Sequence, residues 1–119
     1  MTRIKLALIA TLAATPAIAD PAKIENATAT ASGNAWTVSV TLRHGDAGWD
    51  DYADGWRVVT EDGTILGTRT LFHPHVNEQP FTRSQSGIEI PADMAQVFIE
   101  ASTNTDGWAM ERYTLILDR

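Results

Sequence analysis

Trp36-Thr37-Val38-Ser39-Val40-Thr41-Leu42 alternates apolar and polar residues without a fault. Successive side chains of an extended chain point to opposite faces. Trp36, Val38, Val40 and Leu42 therefore share one face, and Thr37, Ser39 and Thr41 the other. That is the pattern of a half-buried β-strand. Working outward, the same short alternating runs recur with turn residues between them. Upstream lies a weaker strand, residues 24–31, closed by the turn Ser32-Gly33-Asn34. Downstream the pattern predicts strands over 55–60, 65–72, 81–90, 96–102 and 112–117. Glu61-Asp62-Gly63-Thr64 reads as a hairpin turn, because Asp-Gly accepts the positive φ that tight hairpins need. Pro91-Ala92-Asp93 breaks the fifth run, and a turn around 92–96 is the one helical candidate. Seven short strands at this spacing predict an all-β, seven-stranded antiparallel sandwich.

The first 19 residues read differently. Thr2-Arg3-Ile4-Lys5 is basic, residues 6–14 are apolar apart from Thr11, and Ala17-Ile18-Ala19 fits a small-x-small cleavage site. This is the pattern of a signal peptide, with Asp20 as the expected mature N-terminus and residues 20–119 as one domain. The apolar run is shorter than the roughly 20 residues that span a bilayer, so no stable membrane anchor is expected after cleavage. The expected location is periplasmic or secreted. The chain has no cysteine, so no disulfide supports the fold. Its net charge is −6. Loss of Arg3 and Lys5 leaves 7 basic residues against 15 acidic ones, a net charge of −8. An acidic domain repels phosphate backbones, which argues against nucleic acid as a partner.

If strands alternate in direction, three loops meet at one end: residues 43–54, 73–80 and 103–108. They hold His44, His73 and His75, which are all the histidines, together with Asp46, Asp50, Asp51, Asp54, Glu78, Asp106, Trp49, Tyr52 and Trp108. Loops on a rigid scaffold are the usual carriers of binding residues. His73 and His75, two apart beside Pro74, present two imidazoles on one side of an extended segment. With His44 or Glu78 they form a candidate copper or zinc site, and Met110 adds a soft donor. The competing reading makes these histidines loop-structuring groups. Asp46, Asp50, Asp51 and Asp54 supply oxygens for calcium, but without EF-hand spacing. Trp49, Asp50, Tyr52, Asp54 and Trp108 form a candidate interaction surface. Loop aromatics in such folds more often plug the open end of the core. Trp36 and Trp56 lie in strands and are expected in the core. Arg57 and Arg83 are candidate anchors for the aspartate loop. No nucleophile motif is present, so no catalytic residue is assigned.

The order of strands resembles the immunoglobulin and fibronectin type III superfold, with Trp56 opening the third strand and Gly87-Ile88-Glu89-Ile90-Pro91 leading toward the sixth. The chain departs from the antibody pattern in lacking the cysteine pair and the corner tyrosine. Gly48-Trp49-Asp50-Asp51-Tyr52-Ala53-Asp54-Gly55-Trp56 and residues 73–84, from His73-Pro74-His75 to Phe81-Thr82-Arg83-Ser84, resemble a signature of small exported bacterial proteins. That resemblance implies export and a β fold. The leading expectation is a non-catalytic binding or interaction module for a protein or small ligand. A periplasmic transition-metal binder is second, and a carboxylate-dependent hydrolase is third.

Overall fold

A computed structural model describes residues 20–119. The expected signal peptide and its cleavage site lie outside the described residues. Eight strands are present and no helix among the described residues: β1 Lys23–Ser32, β2 Ala35–Arg43, β3 Ala53–Val59, β4 Ile65–Thr70, β5 Phe81–Ile88, β6 Gln96–Thr103, β7 Gly107–Trp108 and β8 Tyr113–Ile116. They form two antiparallel sheets. One has the order β1-β2-β5. The other runs β4-β3-β6-β7, with β8 also paired to β6. The candidate helical turn is a single turn, closed by the Met94 amide on the Pro91 carbonyl at 3.1 Å.

The eighth strand has a physical origin. β7 and β8 lie along the same side of β6, β7 opposite Ser102 and Thr103 and β8 opposite residues 96–99. Between them, residues 109–112 face only Glu100 and Ala101. Two extra residues must arch away from the ladder, and the edge strand splits in two. Gly107–Trp108 is too short to carry a period, so the alternation marks only the second half.

The strand that opens the sequence pattern sits in the middle of its sheet. Trp36, Val38, Val40 and Leu42 are buried, Val38 and Leu42 completely. They pack with Trp56 and Val58 of β3, Val97, Ile99 and Ala101 of β6, Leu115 of β8, and Phe81 and Ile88 of β5. Both strand tryptophans are core residues, as expected. On the outer face, Ser39 pairs with Ser84 at 2.5 Å and Thr41 with Thr82 at 2.8 Å, which locks the β2–β5 register. The β3–β4 turn carries Gly63 at φ 91°, a conformation that would strain any residue with a Cβ.

Because Val40 is 1% exposed in the centre of this core, Val40→Asp is expected to unfold the protein. An unpaired buried charge costs several kcal/mol, against a total stability of about 5–15 kcal/mol. Loss of the β-type circular dichroism signal and of cooperative thermal unfolding would verify the inward face of β2.

Candidate functional site

The three loops do meet, and the residue that joins two of them is Asp46. It follows β2 by three residues, and its carboxylate is wholly buried. Oδ1 accepts the His44 Nδ1 proton at 2.6 Å and the Ala53 amide at 3.0 Å. Oδ2 accepts the His75 amide at 2.8 Å. Gln79 adds a second tie between the same loops. Its Oε1 accepts the His44 amide at 2.9 Å, and its Nε2 donates to the His75 carbonyl at 3.0 Å. Asn104 fastens the third loop. It accepts the Tyr52 amide on Oδ1 at 2.8 Å, donates Nδ2 to the Trp49 carbonyl at 2.9 Å, and donates its own amide to the Tyr52 carbonyl at 3.1 Å. An amide side chain acts here as a piece of strand, and β3–β6 pairing brings it there by setting Ala53 opposite Thr103.

The histidines divide into two environments. The His44 side chain is wholly buried. Its Nε2 lies 3.0 Å from the Asp20 carbonyl, 3.5 Å from the Asp20 carboxylate and 3.8 Å from Asp51 Oδ1. Burial alone would lower its pKa. The hydrogen bond to Asp46 and the charges of Asp46 and Asp20 outweigh burial and hold it above the ordinary value. His75 is buried by a parallel stack on Phe81, with ring centroids 4.0 Å apart. Its Nε2 faces Arg83 Nη2 at 3.0 Å. An arginine nitrogen only donates, so Nε2 is the acceptor and the neutral ring carries its proton on Nδ1. Burial first, then the charges of Arg83 and His73, lower its pKa.

The rings of His73 and His75 are neighbours, 4.6 Å between centroids, as their spacing suggests. His73 is exposed and its Nδ1 lies 3.1 Å from the Pro74 carbonyl. Glu78 pairs with Arg83 at 3.1 Å. The four side chains of the expected metal site are thus held by different partners. The His44 nitrogens are taken up by Asp46 and Asp20, and Arg83 occupies the His75 nitrogen and the Glu78 carboxylate. Among the described residues, the group whose ligand atoms come together is Asp20, His44 and Asp51, within 4.8 Å of one another. This His/Asp/Asp group can hold a metal ion.

Arg57 and Arg83 do not anchor the aspartate loop. Arg83 goes to Glu78, and Arg57 to Glu100 at 2.9 Å. Glu100 is buried and also takes Arg112 at 2.9 Å. Burial would raise its pKa, but the hydrogen bonds and charges of the two arginines hold it below the usual range. The Arg57 guanidinium in turn lies 4.0 Å over the Trp108 ring. Gly55 leaves room beneath that ring, since a Cβ there would meet the Arg69 carbonyl at 3.2 Å, Ser102 Oγ at 3.3 Å and the Trp108 ring at 3.6 Å. Trp108 therefore covers the outer face of the five-stranded sheet. Trp49 does not plug the core either. It is 66% exposed and meets Tyr52 edge-on at 5.7 Å. Asp50 is exposed, and Asp54 accepts the Ser102 hydroxyl. Phe72 and Val76, beside the histidines, are also exposed. The expected strand 65–72 ends at Thr70, so Phe72, like Val76, lies in irregular loop where alternation assigns no face. A groove of about 330 Å³ runs between Pro21-Ala22 and the split edge strand, with Asp106, Trp108 and Met110 on its walls.

Asp46→Ala leaves an imidazole and two amides without their acceptor. The expected cost is about 3–5 kcal/mol in urea unfolding, the range for breaking a buried ion pair. The two histidines are expected to titrate in opposite directions by proton NMR, His44 above the unperturbed value of about 6.5 and His75 below it. A raised folded pKa means that His44 contributes stability below the unfolded pKa and loses it as pH rises through the folded one. His75 contributes above the unfolded pKa and loses it as pH falls.

No family model and no solved structure matches the chain. A curated protein of Halomicrobium mukohataei, named "Putative lipoprotein", is 45% identical over 78 residues. The match covers 66% of this chain and 38% of that protein, so the chain spans well under half of its relative's length.

Proposed function

We propose that this chain is an exported, non-catalytic binding module that engages a protein or small ligand through its fastened loop end. The observation that carries the reading is the exposure of Trp49, Phe72 and Val76 on loops that hydrogen bonds from Asp46 and Asn104 hold in place. Apolar side chains in water on a mobile loop would collapse. On loops pinned by Asp46, Gln79 and Asn104 they stay presented, and pre-organised contacts lose less entropy on binding. Trp49, Asp50, Tyr52 and Asp54 belong to this surface. Trp108 contributes from the side, where it stacks on Arg57. Export is supported by the sequence pattern of residues 1–19 and by the lipoprotein name of the Halomicrobium relative, and the proposed location is periplasmic or secreted. In this reading the sheets, β1-β2-β5 facing β4-β3-β6 with β7 and β8 at the far edge, are a variant of the immunoglobulin and fibronectin type III sandwich.

A photo-crosslinking amino acid placed at Trp49, Phe72 or Val76 in cells of the source organism tests the loop end. Adducts of defined mass are expected from these positions and none from Glu61, in the turn at the other end. Equal labelling at both ends, or none at the loops, would overturn the proposal.

A further inference from the structure

We infer that Asp20, His44 and Asp51 form a binding site for a zinc-class divalent cation, beside the exposed aromatic surface. Three observations converge on it. First, His44 is oriented from behind. A buried carboxylate that takes one ring proton, leaving the other nitrogen to face outward, is the arrangement that aims metal-binding histidines. Asp46 does this through Nδ1 at 2.6 Å, so Nε2 faces Asp20 and Asp51. Secondly, the ligand atoms are near one another, all within 4.8 Å, so small side-chain shifts bring them onto one ion. Bonds of about 2.0–2.2 Å put two ligands of a tetrahedral ion roughly 3.4 Å apart. Nε2 lies 3.5 Å from Asp20 Oδ2 and 3.8 Å from Asp51 Oδ1. Thirdly, the charge is one-sided. Among the described residues, Asp20, Asp46 and Asp51 form ion pairs with His44 alone, and Asp106 accepts the Asp20 amide at 3.2 Å. Glu25, Glu78 and Glu100 each have an arginine.

The ion would replace the hydrogen bond from Nε2 to the Asp20 carbonyl, and Asp51 would turn from its Thr105 contact at 3.3 Å. Entry is open, because the Asp20 side chain is largely solvent-exposed and that of Asp51 partly so. One nitrogen with few oxygens suits zinc rather than calcium, which takes six to eight oxygens.

The test is zinc titration of the untagged chain at pH 8, where imidazole is free to ligate, read by calorimetry and by thermal unfolding. One ion per chain is expected. At a hundredfold excess over Kd the melting temperature should rise on the order of 10 °C. Asp51→Asn and Asp20→Asn should each weaken binding at least about tenfold, the scale of a loss of 1.4 kcal/mol. Each is checked for folding by circular dichroism, so that either one suffices. His73→Ala should bind as the wild type does, and calcium should give no shift. No zinc binding by the wild type would overturn the inference and leave His44 as a hydrogen-bonded clasp between Asp46 and Asp20. Binding that survives both aspartate substitutions, or is lost in His73→Ala, would also overturn it. Neither outcome bears on crosslinking at Trp49.

Discussion

A carboxylate without a water contact must have its charge met by the protein, and Asp46 is in that position. Its three donors come from three places in the chain: a histidine ring two residues back, the first amide of β3, and the amide of His75 after β4. None can move far without leaving a buried anion under-satisfied. The loop after β2 and the loop before β5 are therefore one rigid object, although 29 residues separate Asp46 from His75. The exposed aromatics inherit that rigidity. In a domain without disulfides the apolar core holds the sheets together, and Asp46, with Gln79 and Asn104 beside it, sets how the loops sit.

Glu100 offers an instructive contrast. Both are buried acids, but Glu100 lies between two guanidinium groups and its neighbourhood is balanced. Asp46 has one imidazole, which two further carboxylates also approach. The first arrangement closes the outer face of a sheet. The second leaves negative charge around one aimed nitrogen. The difference is why one reads as structure and the other as a place for a cation.

Much of the fold was legible because it rests on local rules. Alternation from Trp36 to Leu42 marked the buried face of β2, and Asp62-Gly63 marked the turn between β3 and β4. Up-and-down strand counting brought the three loops together. What was not legible depends on contacts between distant residues. Asp20 joins His44 because the segment before β1 runs beside the end of β2, which no motif announces. Asn104 acts as a strap only because β3 and β6 are neighbours. His-x-His was visible, yet the sequence could not say that Arg83 would take one of its nitrogens. Nor could it decide whether Trp49 turns inward or outward, since an aromatic in a loop satisfies either pattern.

The split of the last strand reaches beyond the groove it opens. An unpaired strand edge is a template on which a second chain can add, and from there aggregation can spread. Here that edge offers two residues, then an arch crested by the almost fully exposed Met110, then four more residues. An incoming strand would lose its register at the arch before it had paired a useful length. The same two extra residues that break the ladder shorten the edge that this disulfide-free domain offers to a second copy on that side.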